Sequence, residues 1–272
     1  MSILLTLFLI IISLSLFLLF LQLPHLPHRD MSLFLNTSYA HRGLWNSSIP
    51  ENSLEAFQNA VNHGYGIELD VQETADHQLV VFHDADLQRL CQNPRRITQC
   101  TYSELQELRL NHTDARIPLF TEVLRIVDGQ VPLLIEIKTS GHVLRVAAQL
   151  DALLKTYAGL YMIESFDARA LLWYRMHHRE VRRGQLAYGL PKGTPYPKSL
   201  QNMALSSLCM NIMGRPDFIA FDLRTAASRP LRALTRIHTC RFAWTCTSEA
   251  EYHRLMHQWD AIIFESFTPG TP

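Results

Sequence analysis

The first charged residue of this 272-residue chain is Arg29. From Ser2 to Leu23 the sequence is uncharged and dominated by Leu, Ile and Phe, and about 20 such residues cross a bilayer core. With no polar face, the run is not an ordinary surface or core helix. It also lacks the marks of a cleaved signal. No Lys or Arg precedes it, and Leu23-Pro24-His25-Leu26-Pro27 offers no Ala-x-Ala site. A retained transmembrane anchor over residues 1–24 is therefore expected, then a Pro-containing linker over 25–36 and one globular domain over 37–272. Arg29 flanks the anchor on its C-terminal side, with His25 and His28 nearby, so the positive-inside tendency leans the domain toward the cytoplasmic side.

Cysteine is scarce. Five scattered residues (Cys91, Cys100, Cys209, Cys240, Cys246) with no CxxC pattern exclude a zinc ribbon and a disulfide framework. Each reads as a small buried apolar residue, and unpaired thiols suit a reducing compartment. Charge of one sign is also lacking. Lys and Arg number 25, as do Asp and Glu, with no basic run, so a nucleic-acid partner has no electrostatic footprint. Thirteen histidines are present. Those in Met176-His177-His178-Arg179 and Glu251-Tyr252-His253-Arg254 read as exposed helix faces. The chain has no internal repeat and no low-complexity tract.

What is present is an alternation of short aliphatic runs with helical patterns, the mark of a parallel sheet built from β-α units. Strands are expected near 38–41, 67–71, 79–83, 133–137, 161–165, 184–187, 218–222, 242–245 and 261–264. Asn52-Ser53 before an apolar stripe, Thr101-Tyr102-Ser103-Glu104 and Ser248-Glu249-Ala250-Glu251 read as helix starts. Helices are also expected over 119–127 and 143–154. About 240 residues beyond the anchor approach the ~250 of one (β/α)₈ barrel. Nine strands are one more than that barrel needs. Asp84–Arg116, rich in turn residues, is expected to form a small insertion over the mouth, with the extra strand in or beside it. Pro191–Pro197 is expected to be a loop on the substrate side.

The chemistry-bearing residues fall at or just after the ends of these runs. In Ile67-Glu68-Leu69-Asp70-Val71 the two carboxylates share one strand face, about 6–7 Å apart. Turned into a barrel, they cannot both stay ionised in a dry core without compensation. Glu136 in Leu133-Leu134-Ile135-Glu136-Ile137 gives a third oxygen ligand. Such a set selects a hard divalent cation: Mg²⁺, Ca²⁺ or Mn²⁺. The plain alternative is buried ion pairing, Glu68 with Arg42 and Glu136 with a nearby base. His41 and His83, each at a strand end, have the near-neutral pKa that acid–base chemistry requires. Arg42 offers a bidentate grip on phosphate oxygens. Lys138 offers a point charge where negative charge builds up. Together these describe an enzyme acting on a phosphodiester.

The motifs Tyr39-Ala40-His41-Arg42-Gly43, Pro50-Glu51-Asn52-Ser53, Glu68-Leu69-Asp70 with Gln72-Glu73-Thr74, and Phe82-His83-Asp84 occur in that order. Ile117-Pro118-Leu119, Glu136-Ile137-Lys138, Ser165-Phe166 and Ala243-Trp244-Thr245 follow them. In this order the set resembles the glycerophosphodiester phosphodiesterase family, here as a membrane-anchored bacterial-type member. The resemblance covers residues 37–268. It implies a TIM barrel that hydrolyses glycerophosphodiesters to glycerol 3-phosphate and an alcohol with one divalent cation. It implies His41 and His83 as the acid/base pair, Glu68, Asp70 and Glu136 as metal ligands, Arg42 and Lys138 as phosphate contacts, and Trp244 in the pocket wall. Two stretches depart from the family pattern: Leu87-Gln88-Arg89-Leu90-Cys91, and Glu265-Ser266-Phe267 after the last strand. They are expected to bear on the head-group pocket and to touch neither the metal nor the histidines. Activity on membrane lyso-lipids, as in a lysophospholipase D, and a silent membrane-tethered binding module are the competing readings.

Overall fold

In the computed structural model, which describes residues 3–139, 142–190 and 199–270, eight parallel strands close into a barrel. They are β1 (Tyr39–His41), β2 (Gly66–Glu73), β4 (Leu133–Ile137), β5 (Tyr161–Ser165), β6 (Arg182–Ala187), β7 (Phe218–Asp222), β8 (Cys240–Cys246) and β9 (Ala261–Phe264). β1 pairs with both β2 and β9, which shuts the sheet on itself. The ninth strand, β3 (Leu79–Val81), runs antiparallel along the far end of β2, so the extra strand leads into the insertion as expected. The expected loop Pro191–Pro197 lies outside the described residues.

Sequence chemistry accounts for the elements. The Ser53 hydroxyl accepts from the Ala56 N–H and caps the helix Leu54–Asn62. Thr101 and Glu104 satisfy each other's backbone N–H groups in a capping box, and Ser248 caps Glu249–Leu255. The insertion holds its own apolar core, with Leu87, Leu90, Ile97 and Leu105 against Val80 and Phe82. β6 begins two residues before the expected Gly184. Arg182 and Arg183 do not read as strand, yet Arg183 is buried because its guanidinium reaches the carbonyls of Gly214, Arg179 and Val181. One expectation about surface placement needs correction. The helix Ala168–His177 stops before His178, which is half-buried between Asp151 and Glu180, whereas His177 and His253 are exposed on their helices. All five cysteines are free, with Cys100 and Cys246 buried and the other three half-buried.

The barrel interior is filled from below. Phe34 and Met31, from the stretch after the N-terminal apolar helix, pack with Tyr39, Leu134, Phe218 and Phe242 at the N-terminal end of the barrel. The Tyr39 hydroxyl donates to the Phe34 carbonyl at 2.8 Å. Gly184 makes this layer possible, since a Cβ there would lie 2.1 Å from the Phe218 ring. The rest of the stretch is docked as well: the His25 N–H donates to the Pro216 carbonyl at 2.8 Å, and Arg29 forks onto Asp217.

The helix α1 (Ile3–Gln22) is exposed along its length and meets the barrel through its last turn. There Arg215 donates to the carbonyls of Phe20 and Leu23, and Asn211 donates to that of Gln22.

Phe34→Ala removes a ring from the barrel floor and should lower unfolding free energy by about 3 kcal/mol. Denaturant titration of the full chain in detergent measures this. A loss under about 1 kcal/mol would mean the ring is not part of the barrel's core.

Candidate active site

Alternation along the strands builds the site. In β2, Ile67, Leu69 and Val71 face outward against Phe57 and Phe120 of the helical layer, which turns Glu68 and Asp70 inward. In β4, Ile135 and Ile137 face outward and Leu134 and Glu136 inward. β5 repeats the pattern with Ile163 outward and Met162 and Glu164 inward. Register then aligns Asp70 with Glu136, and Glu136 with Glu164. These carboxylates stand directly above the apolar layer of Leu134 and Met162. Above them opens a cavity of ≈ 440 Å³ at the C-terminal ends of the strands, where His41, Arg42, Glu68, His83, Glu136 and Trp244 all line the wall. Asp70 and Lys138 lie just behind it. The structure thus brings together all eight residues expected at the site.

The loop after β1 is bent by backbone geometry. Arg42 and Gly43 both have positive φ, +58° and +81°. A Cβ at Gly43 would lie 2.9 Å from the Ala56 backbone, so only glycine fits there. This bend aims the Arg42 N–H at Glu68 Oε2, 3.0 Å away. The Asn52 N–H in turn donates to the Arg42 carbonyl at 2.8 Å, and the Asn52 amide donates to Asp70 Oδ2 at 2.9 Å.

Charge is distributed unevenly. Lys138 Nζ lies 3.2 Å from Asp70 and 3.0 Å from Glu136, and Arg42 Nε lies 3.6 Å from Asp70. Burial pushes the Asp70 pKa up, but Lys138, His83 and Arg42 together hold it well below the carboxylate range. Glu68 is raised well above that range by burial and by Asp70, Glu164 and Glu136. Glu164 is raised well above it by burial and by Glu136 and Asp70. Glu136 is raised by burial, with Lys138 opposing.

Each histidine is held at Nδ1 by a carboxylate. Glu265 Oε2 lies 2.6 Å from His41 Nδ1, and Asp84 Oδ1 lies 2.7 Å from His83 Nδ1. Burial pushes Glu265 up, but the hydrogen bond and charge of His41 outweigh it, so the carboxylate is ionised and accepts the Nδ1 proton. The neutral imidazole then carries its lone pair on Nε2. Burial lowers the His41 pKa, only partly opposed by Glu265.

Here the expectation about the two departing stretches is overturned. Glu265 touches His41, and Arg89 bridges Asp84 to Glu51, which also binds Arg42. Glu265 meets His41 directly and Arg89 reaches His83 through Asp84, because the last strand and the insertion end at the same rim.

Glu164 was also legible in principle. Tyr161-Met162-Ile163-Glu164 repeats the apolar-apolar-Ile-Glu pattern of Leu133-Leu134-Ile135-Glu136. Trp244 meets Phe166 edge-on at 5.9 Å and forms one side wall.

Comparison with known proteins places this geometry in context. Residues 41–265 match the model of the Glycerophosphoryl diester phosphodiesterase family. A Glycerophosphodiester phosphodiesterase of Bacillus altitudinis is 30% identical over 186 residues, 66% of this chain and 69% of that protein. A lysophospholipase D of Rattus norvegicus is 34% identical over 153 residues, 51% of this chain and 48% of that protein, so this chain spans about half its length. In fold, the chain resembles an Oleispira antarctica phosphodiesterase solved with the product sn-glycerol-3-phosphate. That likeness has a TM-score of 0.71 at 21% identity, over 85% of this chain and 93% of the other.

The residues present fit a divalent cation. Ligand oxygens of Glu68, Asp70 and Glu136 lie within 4.8 Å of one another, all buried. Asp70 Oδ1 and Glu136 Oε1 have Lys138 nearby but no aligned hydrogen-bond donor. An all-oxygen donor set of this charge suits Mg²⁺ or Ca²⁺.

Burial raises Glu68 and Glu136, so a cation and protons compete for the same oxygens. Titrating Mg²⁺ or Ca²⁺ into chelator-treated protein at a series of pH values should show binding that tightens as pH rises. Glu136→Gln should weaken binding at least about tenfold. Cation binding that does not tighten as pH rises would contradict this site.

Proposed function

Because this chain belongs to the glycerophosphoryl diester phosphodiesterase family, we propose that it hydrolyses glycerophosphodiesters to glycerol 3-phosphate and an alcohol by acid–base catalysis between His41 and His83. The observation that carries the reading is the pair of imidazoles on one cavity, each fixed at Nδ1 by its own carboxylate. A pure binding module has no use for that arrangement.

His41, held neutral by burial, acts as the base. Its Nε2 takes a proton from water as the oxygen attacks phosphorus; where the neighbouring glycerol hydroxyl attacks instead, water must then open the cyclic phosphate to give glycerol 3-phosphate. Glu265 stabilises the imidazolium that forms. His83, nearer solvent at the rim, gives a proton to the departing alkoxide. Arg42 grips a non-bridging phosphate oxygen, and Lys138 keeps Asp70 ionised and adds positive charge below. A divalent cation held by Glu68, Asp70 and Glu136 would supply further neutralisation of the phosphate charge. Trp244 and Phe166 offer an apolar wall to the glycerol carbons.

The substrate is a soluble diester. We read α1 as a membrane anchor, since 20 residues at 1.5 Å rise give about 30 Å, the thickness of a bilayer core. It joins the N-terminal end of the barrel, whereas the catalytic cavity opens at the C-terminal end. Asp222, on the cavity, is five residues along β7 from Asp217 at the anchor end, about 16 Å. A lyso-lipid still seated in that bilayer lies on the wrong side.

The full chain, stripped of metal and given Mg²⁺ or Ca²⁺, should release glycerol 3-phosphate from a panel of glycerophosphodiesters faster than choline from lyso-phosphatidylcholine. The reverse ranking would transfer the assignment to a lysophospholipase D. Silence on both with cation bound would leave a binding module. His41→Ala and His83→Ala should each lower kcat by about 10²–10⁴ with the fold intact.

Glu265→Gln separates the roles by pH. The carboxylate raises the His41 pKa, so its removal lets that pKa fall. A base must be neutral, so the acidic limb of the kcat/KM profile should move to lower pH while its plateau drops by about 10². A limb that stays in place would remove His41 from the base role.

A further inference from the structure

A second cavity, ≈ 410 Å³, opens at the opposite end of the barrel beside the last turn of α1. Phe20 and Leu23 of the anchor form one wall. Arg175 and Arg179 before β6, Arg183 at its start and Arg215 before β7 form the other. Among the described residues, no carboxylate lines it. Asp217, close by, is already engaged by the Arg29 side chain and the Arg183 N–H, and Glu180, which also interacts with Arg183, is paired with His178. Three of the arginines are held in place by backbone carbonyls. Arg175 donates to Ile212 and Met213, Arg183 to Gly214 and Val181, and Arg215 to Phe20 and Leu23.

Carbonyls orient a guanidinium without cancelling its charge. Burial pushes Arg183 down to about 10; Asp217 opposes the shift, while Arg29, Arg175 and Arg182 add repulsion. Arg215 is lowered by burial and by Arg175. Four arginines crowded into one concave site with no lining counter-charge call for an anion. The place says which kind. Arg215 sits over the Phe20 ring, 4.6 Å from its centroid, at the point where the exposed apolar helix ends. With α1 in a bilayer, this is the depth of the lipid head groups.

We propose that this cavity takes the phosphate of an anionic phospholipid, gripped by Arg175, Arg179 and Arg215, with the acyl chains lying along the Phe20–Leu23 side of α1. The proposal rests on α1 lying in the membrane and is independent of the catalytic reading. Its positive charge also belongs to the domain side of the anchor, in line with a cytoplasmic domain.

The test uses the full chain in mild detergent. Alkaline carbonate extraction of the source membranes checks the premise separately, since release of the chain into the soluble fraction removes the bilayer and the proposal with it. Dihexanoyl phosphatidylglycerol, dihexanoyl phosphatidylcholine and inorganic phosphate are then titrated, with binding read by native mass spectrometry and by melting temperature. Phosphatidylglycerol should bind one to one and raise the melting temperature, ahead of both other probes. The double variant Arg175→Gln, Arg179→Gln should weaken that binding by about fivefold per arginine removed, with turnover unchanged. Its melting temperature without lipid checks that it is folded. Equal response to phosphatidylcholine, or undiminished binding by the variant, overturns the proposal. Inorganic phosphate binding as tightly as phosphatidylglycerol also overturns it, in favour of a free anion.

Discussion

Asp70 stays ionised in the company of three buried carboxylates because Lys138 and Arg42 lie against it. The rest of the site follows from that one arrangement. Burial, joined by the charge of Asp70, raises Glu68, Glu136 and Glu164. Positive charge arriving among them opposes that shift. Neither base is free to leave. Lys138 is fixed between Asp70 and Glu136, and Arg42 is fixed by Glu51 and by a strained backbone turn. Positive charge for a phosphate is therefore in place before the phosphate arrives, which is the condition for electrostatic catalysis.

The acidic trio was legible because strand alternation is a local rule. Two carboxylates two residues apart among Ile, Leu and Val share a face, and an aliphatic run ending in Glu136 needs no tertiary knowledge. The same rule extends to Glu164, whose strand repeats the pattern. The eight strands were legible for the same reason, and β6 was cut short only where buried Arg183 mimicked a surface residue. What holds the histidines was not legible. Glu265 stands 224 positions from His41, and Arg89 stands 38 from Glu51. Pairings at such separations leave no periodic trace. They are fixed by barrel closure, which sets the end of β9 beside the end of β1.

That closure also explains why departures from a family pattern fall where they do. Glu265 follows the last strand and Arg89 lies in the insertion, yet both reach the same rim. Each supports a histidine through a carboxylate: Glu265 directly, and Arg89 by fixing Asp84. Change at these positions acts on the orientation and charge of the reacting groups as well as on the shape of the pocket.

The docked stretch between α1 and the barrel has a mechanical meaning. A tether of 16 residues between Gln22 and Tyr39 would ordinarily let a domain swing freely. Here Phe34 and Met31 are inside the barrel, Arg29 is clamped to Asp217, and Arg215 grips the end of the helix. The tether is a rigid stalk. With α1 in a bilayer, the catalytic mouth keeps a constant height and heading, aimed into the aqueous phase. For the soluble diester proposed above, that heading would let substrate arrive, and glycerol 3-phosphate depart, by three-dimensional diffusion through bulk water.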